Sequence, residues 1–230
     1  MKRLFLMVLM AVLLSGCSGL LHSDDPVIQV YYLRAAVSPT VAANEQQQAL
    51  NEARTAAASP AKPAADVPLT LQVPRPQADP GLATELITLI QNDHRMDHYA
   101  ASSWPGALPE VVETLAIDTL RASGHWSAVH DAPSPFLADY LLQINIRRFE
   151  ADYTGGGAAP KVYVTLDCTL ARRLGRELLT SFVAEGTADA SANKMSAVVA
   201  AFEKAANMAL ATMAERSSEA IRTSTAPSTP

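Results

Sequence analysis

His94 and His98 are residues of this 230-residue chain that could act on a ligand together. On a helix, an H-x3-H spacing puts two imidazoles on one face, as a zinc site needs. Their context reads instead as strand, polar turn and strand, where four residues hold two rings ~13 Å apart. Asp93 and Asp97 bring carboxylates but no convergent third ligand, so these are read as polar loop residues and no metal is expected. The triple glycine Gly155-Gly156-Gly157 stands ahead of Lys161. A phosphate-binding loop needs glycine directly before the lysine and serine or threonine directly after it, and the neighbours here are Pro160 and Val162. The glycines are read as a hairpin turn. Glu110, Glu113 and Asp118 share one helix, where early acidic residues suit the helix dipole and a solvated face. Cys168 lies in KVYVTLDCTL, on the same strand face as Val162, Val164, Leu166 and Leu170. It reads as a small buried hydrophobe with no histidine partner. No G-x-S-x-G elbow follows the first twenty residues, so an α/β-hydrolase would have no nucleophile, and none of these residues reads as catalytic.

Cys17 is different. Lys2 and Arg3 precede the uncharged run Leu4 to Leu14, and Ser15, Gly16 and Cys17 follow it. A basic n-region, a short apolar core and a small-residue stop make a secretory signal peptide. Eleven apolar residues fall short of the ~20 that span a bilayer. The tetrad Leu14-Ser15-Gly16-Cys17 looks like the bacterial lipobox, in which the cysteine thiol takes a diacylglyceryl group, the chain is cut before it, and the new amine is acylated with palmitate. Two or more acyl chains, at ~0.8 kcal/mol per buried methylene, anchor a protein stably where one does not. The covalent lipid at Cys17 is the one attached group expected, with no other cofactor. Ser18 stands where an aspartate favours retention in the inner membrane, which points to the periplasmic face of the outer membrane. With Cys17 acylated, Cys168 has no partner in the chain and no disulfide is expected.

The formal charge is −5, and loss of Lys2 and Arg3 leaves 16 basic residues against 23 acidic, a net −7. That balance argues against nucleic acid as a partner and against anionic lipid held by surface charge alone. The domain plan is residues 1–16 signal, 17–26 lipidated tether, 27–221 one folded domain, and 222–230 a polar, disordered tail.

Within the domain, Val27 to Leu33 and Leu69 to Val73 read as strands, separated by an Ala/Gln/Pro-rich insertion over 34–66. Pro74, Pro76 and Pro80 break the chain before ELITLI, Glu85 to Ile90, and a turn at Asn92-Asp93 leads into MDHYAASSW. Pro109 suits a first helical turn, Val112, Leu115, Ala116, Thr119 and Leu120 recur with helical spacing, and Gly124 stops the helix. Trp126 to His130 is a short strand. A long strand follows, with Tyr140, Leu142, Ile144 and Ile146 on one face and Gln143, Asn145 and Arg147 on the other. The Cys168 strand pairs with it, Leu178 to Glu185 adds another, and Ala192 to about Ala220 is a long helix with Val198, Phe202, Ala205, Ala209 and Met213 on one stripe. The expected fold is α/β (α+β): a mixed, largely antiparallel sheet with two main helices packed on it, in a single domain.

Tyr99, Trp104 and Trp126 bracket the first helix. They suit core and helix-end packing, and also an exposed edge that docks a protein partner or a lipid tail.

In this order of segments the chain resembles the ABC-type transport auxiliary lipoproteins, the PqiC-like or YmbA-like family. The resemblance rests on the lipobox, YYL at Tyr31 to Leu33, the stretch from Leu71 to Gly124, ADYLLQINIRRFEADY, and the last helix with AFEKA. The insertion at 34–66 is longer than the pattern. The resemblance implies a non-enzymatic accessory working with an inner-membrane ABC permease and ATPase and with an MCE-domain periplasmic protein that moves phospholipid or other apolar cargo. Here the chain would be the outer-membrane docking component, and a ring-shaped homo-oligomer is a family-level expectation. A lipid-binding carrier, or a structural envelope lipoprotein unconnected to transport, are the alternatives.

Overall fold

The computed structural model describes residues 27–36 and 69–225. The signal segment, Cys17 and its tether, residues 37–66 of the insertion and the final residues 226–230 lie outside the described residues. In chain order the elements are β1 Gln29–Val30, β2 Thr70–Gln72, β3 Gln77–Ala78, β4 Leu86–Ile90, β5 Met96–Ser103, α1 Leu108–Ala122, β6 Ala128–His130, β7 Tyr140–Asp152, β8 Lys161–Arg172, β9 Glu177–Asp189 and α2 Met195–Thr225.

The spine is the meander β7, β8, β9. Alternation of apolar and polar residues, broken in β7 by one bulge, gives each strand one face for a core and one for water. The ladders run from Tyr140 opposite Arg172 to Asp152 opposite Lys161, and from Arg172 opposite Glu177 to Lys161 opposite Asp189. On the far edge of β7 lie three short strands in succession, all parallel to it. Leu71 pairs with Tyr140, Gln77 with Asn145 and Leu89 with Ala151. They are one interrupted strand, and the prolines at 74, 76 and 80 fall in or beside its gaps, where no ladder donor is lost. β5 folds back on β4, β1 runs parallel to the end of β5, and β6 flanks β2. The long ladders are therefore antiparallel and the short ones parallel, in the single mixed sheet expected from sequence.

Both helices cover the same face. α1 starts beside Pro109 and buries Val111, Val112, Leu115, Ala116 and Leu120. Arg121 in its last turn donates to the Val129 carbonyl at 2.9 Å, fastening the helix to β6. Arg75, between β2 and β3, reaches Glu110 at 3.0 Å and Glu113 at 3.6 Å. Burial pushes the Glu113 carboxyl above its ordinary range, against the pull of Arg75. α2 lies on β8 and β9, burying Val198, Phe202, Ala205, Ala209 and Met213. By length and composition it could cross a bilayer, but 56% of that apolar stretch is buried inside the fold. At Gly186 the helix backbone comes so near the sheet that a Cβ there would overlap the Ala205 carbonyl. Glycine on the strand and alanines on the helix make that approach sterically allowed.

Several elements differ from their sequence outlines. Only Gln29–Val30 of the first strand joins the sheet. The segment then continues past α2, where Asn207 bonds both the Ala36 N–H at 2.8 Å and the Arg34 carbonyl at 3.0 Å. In β7 the register shifts between Ile146 and Arg148, so the buried phase passes from Ile146 to Phe149 and Ala151. One extra residue, a β-bulge, causes this flip. α2 runs on to Thr225, taking in residues assigned to the polar tail. Its polar residues Thr223 and Ser224 are accommodated by bonding back to the Glu219 and Ile221 carbonyls.

Candidate functional site

Two of the three aromatic candidates sit in the core. Trp104 is 2% exposed and edge-on to Phe149 and Phe202 at 6.0 and 5.3 Å, and those two rings stack at 5.3 Å. Trp126 is buried edge-on to Tyr140. Neither forms an exposed docking edge, because Trp104 is enclosed by rings of β7 and α2 and Trp126 packs against β7. Tyr99 is half-buried, its hydroxyl 3.0 Å from that of Tyr153, which donates to Asn193 at 2.7 Å. Burial, then the bond to Tyr153, raises its pKa far above that of free tyrosine. The three residues tie β5 to the turns after β7 and β9. They are brought together as a structural clasp, not as a surface.

Cys168 is buried among the β8 apolar residues, and burial, with Asp167 adding to it, pushes its thiol up to about 12. A thiol so rarely ionised is no nucleophile. His94 sits in the turn after β4 and His98 in β5. Among the described residues no group of three His, Cys, Asp or Glu is placed to hold a metal ion. Gly155 to Gly157 lie in the β7–β8 turn, where the Gly156 N–H bonds the Tyr153 carbonyl at 3.1 Å.

The layer between sheet and helices is filled by Trp104, Phe149, Phe202, Leu120, Leu142 and Leu166. The larger hollows are on the surface. A polar groove of about 310 Å³ on the uncovered sheet face is bordered by Arg75, Gln143, Asn145, Asp167 and Thr169. A second, of about 460 Å³, opens between the start of β9 and the end of α2, beside Leu178, Leu179, Arg216 and Ala220.

Register places the remaining surface features at two opposite ends. At the Asp152 end of β7 are the β4–β5 turn (Tyr153 N–H to the Ile90 carbonyl, 3.0 Å), the glycine turn and the β9–α2 connection (Ala190 N–H to the Pro160 carbonyl, 3.0 Å). Their side chains are small or polar. There Asp97 accepts from the His98 N–H at 2.8 Å and then from Gln91, which holds its carboxyl below the usual range. The described chain enters at this end, since Gln29 pairs with Ser102 and Val27 lies further toward the start of β5.

At the Tyr140 end the β6–β7 loop meets the β8–β9 turn, where the Arg173 N–H bonds the Asp139 carbonyl at 2.8 Å. Phe136, Leu137, Leu174 and Leu178 are all exposed there, Leu137 at 84% and Leu174 at 87%. Arg172, Arg173 and Arg176 surround Leu174. Arg172 pairs with Glu177 at 2.7 Å and Arg173 donates to Gln72, while Arg176 has no acidic partner among the described residues. The sequence reading passed over this end. Its signal was large apolar residues inside turn sequences, PSPFLAD and RRLGREL, where neither core nor turn chemistry calls for them.

A family model described as ABC-type transport auxiliary lipoprotein component matches residues 49–214. Among solved structures the chain is similar to protein XCC0632 from Xanthomonas campestris, at 22% identity and a TM-score of 0.62, over 68% of this chain and 89% of that one. An uncharacterized protein of known structure matches at 15% identity and a TM-score of 0.54, over 64% and 91% of the two chains. These likenesses are of fold. No curated protein matches the chain.

Proposed function

Because the chain belongs to the ABC-type transport auxiliary lipoprotein component family, a match spanning 49–214, we propose that it is the membrane-anchored docking component of an ABC/MCE-type system moving lipid between membranes. Cys17 carries the acyl anchor and Ser18 directs it to the outer membrane, so the folded domain stands on the periplasmic face. It receives the tip of an MCE-domain bridge whose energy comes from an inner-membrane permease and ATPase. The glycine turn is a hairpin, which leaves nucleotide hydrolysis to that pair. The filled layer between sheet and helices favours docking over carriage of lipid inside this domain.

The observation that carries this reading is the family match. Its test is density-gradient fractionation of crosslinked envelopes from cells making the full chain or its Cys17→Ala variant. The unaltered chain should sediment with the outer membrane and carry adducts to the MCE-domain protein, while the variant appears in the soluble periplasm. Retention of the variant in membranes refutes the lipid anchor. Sedimentation with the inner membrane refutes the location, and adducts to envelope structural proteins alone refute the transport role.

A further inference from the structure

We infer that the Tyr140 end of the sheet is the docking surface, and that its occupant is an acidic, apolar segment of a periplasmic protein. The inference rests on the anchored reading above, and four observations support it.

The first is side-chain type. Phe136, Leu137 and Leu174 are exposed on two turns that a backbone bond between Arg173 and Asp139 holds side by side, and Leu178 is exposed at the start of β9 next to them. Their side chains lie outside the core, and among them Phe136 packs on the His130 ring at 5.6 Å. Beside them the 460 Å³ groove continues between β9 and α2, floored by Leu179 and Ala220. An exposed apolar cluster running into a groove is the anatomy of a protein-binding site.

The second is charge. In a chain with an excess of acidic residues, positions 172–176 hold three arginines. Of the acidic groups nearby, Glu177 is engaged with Arg172 and the Asp139 carboxylate with the Thr70 N–H and hydroxyl at 2.9 and 2.7 Å, while Glu219 and Arg216 both line the groove. An apolar centre with a basic rim complements an apolar segment flanked by carboxylates. Two copies of this chain meeting through the same patch would oppose arginine to arginine, which disfavours a symmetric self-contact.

The third is reach. β7 rises ~40 Å from Tyr140 to Asp152 at ~3.3 Å per residue. Val27 stands near the Asp152 end, so the leucines lie roughly that far from the point where the described chain begins. Ten residue steps separate Val27 from Cys17, and ten fully extended residues span at most ~36 Å. A domain standing on its Asp152 end thus holds this end away from the anchoring bilayer, and the tether is too short to let it invert completely.

The fourth is shape of support. The turns project from the ends of 13- and 12-residue strands that pair along their whole length, interrupted only by bulges at Ile146–Arg148 and Leu170–Ala171, so the patch is carried on an extended ladder. Association then costs little reordering.

The test is site-specific photo-crosslinking in living cells with the full lipidated chain. A photoreactive residue is placed at Leu174, at Leu137, and, as the opposite-end control, at His94. The expected result is an adduct from 174 and 137, absent from 94, to a different protein through a peptide containing Asp or Glu beside apolar residues. Charge reversal by R173E with R176E should cut the adduct from position 137 about tenfold, a loss of ~1.4 kcal/mol in affinity. Circular dichroism of the same variant checks that the fold is kept. Adducts to lipid, adducts to a second copy, equal yield from 94, no adduct at all, or indifference to charge reversal would each overturn the inference. If Cys17→Ala still leaves the membrane while position 174 stays silent, the docking surface fails and the anchor stands.

Discussion

The two ends of the sheet are built on the same strands and furnished with opposite residue types. At the Asp152 end the connections are QNDHR, YTGGGAAP and SANK, segments that turn the chain and face water. At the Tyr140 end they are PSPFLAD and RRLGREL, which turn the chain equally well yet carry four large apolar side chains into solvent. Gly175, at φ 83°, shows that turn geometry is met at the second end by glycine, not by its leucine neighbour. The contrast teaches that the exposed apolar residues are not a by-product of closing the sheet. The connections at one end are polar, with Val27, Ile28 and Met96 exposed only on or just before the strands beside them, whereas at the other end the connections themselves carry the apolar side chains.

Substitutions can break or sharpen that contrast according to where they fall. Trp104→Ala removes the ring shared by β5, β7 and α2, the middle on which both ends depend. It should cost ~3–5 kcal/mol, read from urea midpoints, and loosen both ends together in hydrogen exchange. Loss confined to one end would show that the ends fold separately. Gly186→Val forces a side chain into the Ala205 backbone and should cost ~3 kcal/mol in the same measurement, because a helix backbone cannot yield as a side chain does. Asn207→Ala affects the entry end alone. It should cost about 1 kcal/mol and speed amide exchange at Arg34 and Ala36, with no change at the β8–β9 turn. Leu174→Ser should leave stability within ~0.5 kcal/mol, as befits an exposed site, while weakening docking. A large stability loss there would mean that the tip leucine is structural after all.

Cys168 supplies a probe common to all of these. With its thiol pushed up to about 12, the folded protein should be unreactive to maleimide at pH 8 and gain one reactive thiol on unfolding. Because the folded group ionises later than the unfolded one, stability should also fall as pH climbs from about 9 towards 12, where the unfolded thiol alone releases its proton. Fast modification at pH 8 under native conditions would contradict the buried placement.

How much of this could be read from residues alone follows from what each signal depends on. The β7 alternation from Tyr140 to Ile146, the whole inward face of β8 and the α2 stripe were legible, because local periodicity reports burial directly. The phase flip at Arg147–Arg148 was not, since a bulge is decided by the partner strand. β3 was hidden by its flanking prolines, which mark breaks in a strand but do not reveal that β7 offers an edge across them. Trp104 and Trp126 suited burial and docking equally, and only their neighbours in space separate the two. The exposed leucines of the tip were overlooked because turn sequences are scanned for glycine and proline, whereas here the informative residues were those that a turn does not need.

The interrupted strand formed by β2, β3 and β4 bears on how the molecule comes into being. β4 can pair with β5 and β2 with β6 beforehand, but none of the three gains the strand that joins them into one sheet until Tyr140–Asp152 has been made, some sixty residues or more downstream. A chain that emerges N-terminus first must therefore hold its amino-terminal half open while the carboxyl-terminal half is still arriving. The meander β7–β9 with α2, whose contacts are between successive elements, is the unit able to form early, and the amino-terminal strands close onto it late because their pairings span long loops. Pulsed hydrogen exchange during refolding should protect β8 before β2, and the reverse order would refute this sequence of events. On the proposed anchoring through Cys17, the end nearest the membrane would then be the last to be sealed.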